Sequence, residues 1–459
     1  MKKLVVFFLA ILGGSLVSAQ DLPNTLTPEQ KLAGLSTLWS EAKYNEAFFD
    51  NIGEAKWDSA YRAFIKPVME TPDDYRYARE LQRFCALLRD GHSRVYYFKG
   101  PIITTFFDKF QWYLSCIEGK AIVTAISSKR KKEIPVGSEI VEVNGMPTAE
   151  YLEKEVIPYI CSSTDYVRLD NAVNIMFQSL KGDSYQVKIK TPAGKVLDMK
   201  ITHEILPEVK ADAMYPEQPE WKLLEMKWHP GDIAYVALNS FNDPKIVDEF
   251  RAVFPELKKA KKLIIDLRNN GGGNTDNGAN ILTSLVPDSV LVGSKWCTRV
   301  HNPAYKSWSG NVTPNDTVGN EFAKKAYLVG TRQFYEYAAP YTYDIPKDKE
   351  RLVVPTVLLI GHNTASAAED FLILADGQKH MVKMGQNSNG STGNPIMYKL
   401  DGGIQFQICS KKDTYPNGRD FVGCGVKPDI EVVPTVEDFI KGYDRGLQEA
   451  LNYLKKAGK

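Results

Sequence analysis

The chain has 459 residues, more than a single hydrophobic core usually accommodates, which predicts two to four domains. Hydrophobic residues make up 43% and charged residues 25%, a composition that is typical of packed globular domains and argues against a disordered chain. The 57 Lys and Arg residues balance 56 Asp and Glu residues, so the net charge of +1 offers no field that would recruit nucleic acid or an anionic membrane surface.

The N-terminus, "MKKLVVFFLAILGGSLVSAQ", has the pattern of a secretory signal peptide. Two lysines precede an apolar stretch from Leu4 to about Leu16, and small residues follow up to Ala19. Because this stretch is shorter than the roughly 20 residues of a membrane span, a permanent anchor is disfavoured. We predict a signal peptide over residues 1–19, export to the periplasm or the extracellular space, and no stable membrane insertion after cleavage.

Residues 20–99 are predicted to form an N-terminal helical domain. Apolar residues recur at three- and four-residue spacing from Thr27 to about Arg89, and the "TPEQ" at its beginning is typical of a helix start. Asp90-Gly91 interrupts this pattern, and the "VYY" shortly afterwards predicts a strand.

Residues 100–206 contain short β-branched runs separated by turn signals such as Asn144-Gly145, which predicts a β-rich domain. Within it, "IPVGSEIVEVNGMP" resembles the internal strand and turn of a PDZ domain: a glycine, a small polar residue, an acidic residue, two aliphatic residues and then Asn-Gly. The resemblance implies a PDZ-like domain.

Residues 207–459 alternate apolar strands with helical patterns. "DIAYVALNSF", "KLIIDLRNN" and "TVLLIG" read as strands, whereas "PKIVDEFRAVFPELKKA" and "SAAEDFLILADGQ" read as helices. This alternation predicts an α/β core with a mostly parallel sheet that is covered on both faces. An aromatic, polar insertion at about 295–350 carries residues that could line a substrate cleft or pack as a lid: Trp296, Trp308, Tyr335, Tyr337, Tyr341 and Tyr343.

Six cysteines follow the predicted signal peptide, namely Cys85, Cys116, Cys161, Cys297, Cys409 and Cys424. They are widely spaced and form no C-x-x-C pair, so the sequence supports no zinc site and assigns no disulfide.

A glycine triplet, Gly271 to Gly273, follows the predicted strand in "KKLIIDLRNNGGGNTD". Glycines at such a place let the backbone approach a ligand and direct N–H groups at negative charge. A tight strand-to-helix turn would explain the triplet equally well. A phosphate-binding loop is disfavoured because the spacing of neither nucleotide-binding motif is present.

Ser366 stands between a predicted strand and a predicted helix in "LLIGHNTASAAEDF". At a helix N-terminus, the helix dipole and the free N–H groups favour a developing negative charge, so a serine there is a plausible nucleophile. The alternative is that Ser366 is only an N-cap, which is the commonest role of a serine at a helix start.

The strings "LIIDLRNNGGG", "TASAAEDF" and "MGQNSNGSTG" together resemble the carboxyl-terminal-processing (tail-specific) serine protease family, and the likeness covers roughly residues 90–435. It implies a crotonase-like α/β protease core, with Ser366 as nucleophile and an oxyanion hole made by backbone N–H groups near Gly272 and of Ala367. It also implies a polypeptide substrate and a reaction that requires no metal and no organic cofactor.

The general base separates two branches of that family. The branch with a Ser/Lys dyad keeps a lysine in the string where this chain has Ser391, and Lys383 and Lys399 lie outside the motif. The tricorn-like branch uses a histidine from a segment before the PDZ region, which "RDGHSRV" matches with His92. An imidazole can act as a base at neutral pH without special tuning.

The acid that would orient the base is left open by the sequence. Glu369 lies three residues after Ser366 and matches the glutamate of the family's Ser-x-x-Glu string, which implies that it holds the surroundings of Ser366 or the base. The resemblance to the tricorn-like branch also implies an acidic residue upstream of "GVKPD" at 425–429, for which Asp420 is the alternative, and a serine beside the histidine, for which Ser93 is the residue that could polarise His92.

The sequence thus predicts an exported serine endopeptidase of the tricorn-like branch, with Ser366, His92 and Glu369 at the site. The alternatives are a non-catalytic ligand- or peptide-binding module on the same fold and a PDZ-bearing scaffold.

Overall fold

The computed structural model describes residues 22–98, 106–107, 110–204, 213–217 and 219–456. The predicted signal peptide lies outside these residues. The α-helices are α1 Pro28–Asn45, α2 Glu54–Met69, α3 Asp74–Ala86, α4 Thr148–Tyr151, α5 Asp165–Ile175, α6 Lys245–Leu257, α7 Thr275–Leu282, α8 Pro303–Trp308, α9 Glu321–Gly330, α10 Ala367–Leu374, α11 Val436–Ile440 and α12 Arg445–Lys456.

The strands are β1 Arg94–Tyr97, β2 Phe106–Phe107, β3 Phe110–Ile117, β4 Lys120–Ser127, β5 Glu139–Val143, β6 Met146–Pro147, β7 Ser184–Lys190, β8 Val196–Thr202, β9 Met214–Tyr215, β10 Leu224–His229, β11 Ile233–Leu238, β12 Lys262–Asp266, β13 Val290–Val292, β14 Lys295–Arg299, β15 Tyr335–Tyr337, β16 Thr342–Asp344, β17 Thr356–Ile360, β18 Met381–Gly385, β19 Pro395–Lys399, β20 Ile404–Cys409, β21 Lys412–Thr414 and β22 Ile430–Glu431.

The mixed α/β fold is confirmed, and its centre is a sheet in the order β10-β11-β12-β17-β18-β22. Strand β10 pairs antiparallel with β11, and the other neighbours are parallel. Side chains of β11, β12 and β17 that point to one face pack against α6, α7 and α10, and those on the other face pack against α12. Both faces are therefore covered, as the continuous apolar runs of these strands predict.

The N-terminal helices share their hydrophobic core with a strand from the far end of the chain. Helices α1, α2 and α3 pack together with Ile404, Phe406 and Ile408 of β20. Strand β1 pairs antiparallel with β20, which places Arg94 opposite Gln407. The segment that carries His92 is thereby attached to the core.

The β-rich region is built on a sheet in the order β2-β3-β4-β5-β7-β8 and has a hydrophobic core of its own. The predicted turn at Asn144-Gly145 joins β5 to β6, and both residues have a positive φ, 51° and 81°, as a two-residue hairpin requires. The PDZ-like character of this region stays a prediction.

None of the six cysteines forms a disulfide bond in the structure. Within the described ranges, no helix combines the length and the apolar character needed to cross a bilayer.

Candidate active site

Ser366 is the N-cap residue of α10, six residues beyond the end of β17 (366 − 360). Its backbone has φ 54° and ψ −122°, a conformation that L-amino acids rarely adopt. An ordinary N-cap has extended dihedrals, as Thr27 does at the start of α1 with φ −72° and ψ 159°. Capping alone therefore does not account for the backbone of Ser366, and such strain in a strand-to-helix turn is typical of a serine presented to a cleft.

The glycine loop lies directly against Ser366. A Cβ atom on Gly272 would stand 2.7 Å from the Cβ of Ser366 and 3.0 Å from the Ala367 nitrogen. Asn270, which is fully buried, holds this loop: its Nδ2 donates to the Leu238 carbonyl at 2.9 Å, and its Oδ1 accepts the Gly272 N–H at 2.9 Å. The Asn270 carbonyl in turn accepts the Ala365 N–H at 3.0 Å, so it also fixes the turn that precedes Ser366.

Two backbone N–H groups near Ser366 are free to receive an anion. Because the Gly272 N–H is engaged by Asn270, it is not available in this conformation. The N–H groups of Gly273 and Ala367 have no acceptor among the described residues. Gly273 lines the cleft at Ser366, whereas Gly272 does not.

Glu369 is fully buried one turn into α10 and accepts hydrogen bonds from two loops. Its Oε2 accepts the N–H groups of Ser366 and Ser391, both at 3.1 Å. Its Oε1 accepts the Gly390 N–H at 2.7 Å and the Ser388 hydroxyl at 2.5 Å. Burial raises the pKa of Glu369 to about 8, although these hydrogen bonds act to lower it.

His92 follows the turn that ends the N-terminal helical region. Its Nδ1 lies 2.7 Å from the hydroxyl oxygen of Ser391, and its carbonyl accepts the Gln407 side-chain amide at 2.6 Å. Burial lowers the pKa of the imidazole, and the positive charges of Arg94 and Lys411 act in the same direction, against the carboxylate of Asp90. The ring is therefore neutral at neutral pH, and Nε2 has no hydrogen-bond partner within the described chain.

Beneath His92 lies a buried acidic cluster of Glu46, Asp90 and Cys409, whose ligating atoms lie within 4.8 Å of one another. Glu46 accepts the Ser93 hydroxyl and the Phe48 N–H, the latter at 3.1 Å. Both oxygens of Asp90 also accept hydrogen bonds, one of them from the His92 N–H at 3.0 Å. Burial, together with the charge of Asp90, raises the pKa of Glu46 well above its usual value. The carboxylate oxygens are thus satisfied by protein groups that support the His92 turn.

A cleft of about 650 Å³ opens at Ser366. Two aromatic residues of the predicted insertion, Trp296 and Tyr341, form part of its wall, and Asp370 and Lys411 are the charged residues that line it. Lys411 Nζ lies 2.8 Å from Asp413 Oδ1, and Asp370 accepts the hydroxyl groups of Thr275 and Ser294 at 2.6 and 3.1 Å. The cleft therefore offers aromatic surface and both signs of charge next to the serine.

Residues 232–432 match the model of peptidase family S41. These residues, which include Ser366 and most of the central sheet, form a peptidase family S41 domain. The protein is a serine-type peptidase, a hydrolase that acts on polypeptide substrates. No match was found among curated proteins.

Solved structures share the fold of this S41 peptidase along nearly its whole length. Mature CPAF complexed with lactacystin is 17% identical, with a TM-score of 0.67 over 94% of this chain and 98% of that chain. A second structure of mature CPAF is also 17% identical, with a TM-score of 0.68 over 94% of this chain and 97% of that chain. A protein from Parabacteroides merdae ATCC 43184 is 17% identical, with a TM-score of 0.51 over 94% and 97%.

The fold of this S41 peptidase brings three of the predicted site residues around one loop. Ser391 contacts all three: its carbonyl accepts the Ser366 N–H at 3.1 Å, its N–H donates to Glu369, and its hydroxyl meets His92. Gly272 and Ala367 complete the group on the other side of Ser366.

The alternatives weighed for the orienting acid and for the base lie elsewhere. Asp420 is exposed and lies 3.6 Å from Lys412, whereas Ser93 donates its hydroxyl to Glu46 rather than to the imidazole. Lys383 pairs with Asp376 at 2.9 Å. His362, the histidine nearest to Ser366 in the sequence, is bonded through Nδ1 to Asp170 of the β-rich region at 2.6 Å.

Sequence reasoning missed the contact between His92 and Ser391 and the role of Asn270 in the glycine loop. It also missed Asp370 and Lys411, the two charged residues that line the cleft. The second asparagine of "DLRNN" is a weak signal for a side chain that holds the following glycines. Lys411 and Ser391 lie in no helix or strand pattern that would direct them toward Ser366.

Proposed function

We propose that this S41 peptidase is an exported endopeptidase in which Ser366 is the nucleophile and His92 the general base. The observation that carries the assignment is the strained backbone of Ser366 at the N-terminus of α10, beside the cleft and the glycine loop. The neutral imidazole of His92 contacts Ser391, whose carbonyl is bonded to the Ser366 N–H. It can therefore serve as the base in place of the lysine of the Ser/Lys branch.

In the proposed reaction, Ser366 Oγ attacks the carbonyl carbon of the scissile peptide bond while His92 Nε2 takes the hydroxyl proton. The N–H groups of Ala367 and Gly273 stabilise the negative charge that develops on the carbonyl oxygen. Imidazolium then gives its proton to the leaving amine, and a water molecule hydrolyses the acyl-enzyme by the same route. Gly273 replaces the Gly272 of the sequence prediction in this role because the Gly272 N–H is already bonded.

Fluorophosphonate labelling tests the two assignments. The wild-type protein is expected to incorporate one label per chain, and Ser366→Ala none. His92→Ala is expected to label about 100-fold or more slowly, since general-base catalysis typically contributes that much. Ser307→Ala and His229→Ala are matched controls because Ser307 lies on α8 and His229 on the edge strand β10, outside the segments that carry Ser366, His92 and Ser391, and both should label at the wild-type rate. A folded wild-type protein that fails to label, or a Ser366→Ala variant that labels normally, contradicts the proposal.

Export rests on the signal-peptide pattern of residues 1–19 and has its own test. We expect the full chain, expressed in a bacterial host, to be recovered outside the cytoplasm with Gln20 as its first residue. A variant with Lys2 and Lys3 changed to Glu is the control, because the positive end of a signal peptide is needed for its recognition. Recovery of the intact chain from the cytoplasm alone would contradict export while leaving the peptidase proposal standing.

A further inference from the structure

We infer that Ser391 is a positioning residue that fixes the tautomer and the orientation of the His92 imidazole. The inference rests on the proposed function, in which His92 is the base. It concerns the chain's own substitute for the acid that usually orients a catalytic histidine, since no carboxylate among the described residues is bonded to a ring nitrogen of His92.

The hydroxyl of Ser391 is held in place from three sides. Both polar groups of the Ser391 backbone are hydrogen-bonded: its N–H donates to Glu369, and its carbonyl accepts the Ser366 N–H. Gly91 closes the third side: a Cβ atom there would stand 2.4 Å from Ser391 Oγ. The hydroxyl oxygen is therefore carried by a fixed backbone, lies against Gly91, and is 2.7 Å from His92 Nδ1.

A hydroxyl acceptor at Nδ1 suits both states of a catalytic imidazole. If Nδ1–H donates to Ser391 Oγ, the lone pair of the neutral ring is on Nε2, which is the nitrogen left without a partner. The same hydrogen bond persists after Nε2 is protonated, because Nδ1 still carries its hydrogen in the imidazolium. A neutral acceptor stabilises the imidazolium less than a carboxylate would, in keeping with the lowered pKa of His92.

Ser391 acts through His92 and not on the substrate. Its side chain is buried, with 1% of the residue exposed, and it does not line the cleft at Ser366. Ser391 therefore cannot serve as a second nucleophile for a polypeptide. A change there should alter the chemical step and leave substrate binding intact.

Ser391→Ala is the direct test because it removes a single oxygen atom from a buried site. We expect kcat and the rate of fluorophosphonate labelling to fall about 10- to 100-fold, which is typical of removing a group that orients a catalytic histidine or ligand. KM should stay within about twofold, as expected for an interaction used only in the chemical step. Ser138→Ala is the matched control: Ser138 is also fully buried and also donates one hydrogen bond, to the Pro135 carbonyl at 2.6 Å, but it lies in the β-rich region.

Two further measurements separate orientation from a general loss of structure. The acid limb of the pH profile should move to lower pH in Ser391→Ala, because the imidazolium loses an acceptor; the charges of Asp90, Arg94 and Lys411, which also act on the ring, are unchanged. Nitrogen-15 NMR of histidine-labelled protein should show His92 in the Nδ1–H form in the wild type and a larger share of the Nε2–H form in the variant.

The outcomes distinguish this inference from the proposed function. A wild-type protein that does not label contradicts the assignment of Ser366 and His92 themselves. A wild type that labels, together with a Ser391→Ala variant that labels at the same rate with an unshifted pH profile, overturns the role of Ser391 alone. An Nε2–H tautomer of His92 in the active wild type would overturn it as well.

Discussion

Gly272 lies so close to Ser366 that a Cβ atom on the glycine would stand 2.7 Å from the Cβ of the serine, with backbone atoms of Ala365 and Ala367 within 3.0 Å. Its φ of 97° is also unfavourable for any other residue. Gly272→Ala should therefore displace Ser366 and lower kcat/KM more than about 100-fold, because sub-ångström placement of a nucleophile controls the chemical step. The free energy of unfolding should fall by about 1–3 kcal/mol.

Gly271→Ala provides the control for that substitution. Nothing lies within 4 Å of a Cβ atom at Gly271. We expect this neighbouring variant to keep its activity within about twofold and its melting temperature nearly unchanged, since exposed substitutions usually cost under about 0.5 kcal/mol. Equal losses in both variants would show that the loop, rather than its contact with Ser366, is at fault.

Glu369 should make stability depend on pH in the opposite sense from an ordinary carboxyl group. Its pKa rises to about 8 in the folded protein, from 4.5 for an unperturbed glutamate, so only the folded state keeps the proton between these values. The free energy of unfolding therefore falls as pH rises through this window, by up to about 1.4 kcal/mol per pH unit. Above the folded pKa, it no longer depends on Glu369.

Urea unfolding of the wild type and of Glu369→Gln, from about pH 5 to about pH 8, measures this effect. The glutamine cannot titrate, so the advantage of the wild type over the variant should shrink as pH rises. The variant should also be less active, because an amide nitrogen would face N–H donors from Ser366, Gly390 or Ser391. Parallel stability curves would mean that Glu369 is already ionised at low pH.

The pH profile of hydrolysis should report the buried imidazole. Because burial and nearby positive charge lower the pKa of His92, the acid limb of kcat/KM should lie below the usual value of about 6.5. Arg94→Gln removes one of those charges at an exposed position and should shift the limb to higher pH. A limb above the ordinary range in the wild type, or a shift to lower pH in the variant, would contradict the assignment of His92.

Trp296 should contribute to substrate binding. It lines the cleft at Ser366, whereas Trp308, from the same insertion, is 51% exposed and lies outside that cleft. Trp296→Ala is expected to raise KM about tenfold with a smaller change in kcat, because buried aromatic contacts dominate recognition. Trp308→Ala should leave both constants unchanged. Steady-state kinetics on one peptide substrate separates the two variants.

The central sheet was predictable because its strands are short apolar runs that alternate along the chain with helical patterns. β11, β12 and β17 and the helices α6 and α10 all lie within the stretches that the sequence indicated. The pairing of β1 with β20 was not predictable, since Arg94 and Gln407 are far apart in sequence and no local pattern links them. The sequence also could not show which aromatic residues of the insertion line the cleft: Trp296 and Tyr341 do, whereas Trp308 is exposed and Tyr343 packs against the core.

The candidate site followed a similar division. Motif strings were sufficient to select Ser366, His92 and Glu369, which the fold brings around a common loop. Sequence could not decide which N–H of the glycine triplet is free, because that depends on the direction in which the buried Asn270 side chain points. The sequence also could not reveal that Ser391 contacts the imidazole of His92, since that contact depends on tertiary packing between segments 299 residues apart.

The pairing of β1 with β20 has a consequence for how the protein is made. The turn that carries His92 is held by a strand that leaves the ribosome more than 300 residues later, after Ser366 itself (407 − 94 = 313). A growing chain, or one truncated before residue 404, has the nucleophile but lacks the strand that brings the base to it. The proposed proteolytic centre is therefore assembled only when the synthesis of the core is nearly complete, and we expect a fragment that ends before residue 404 to be inactive.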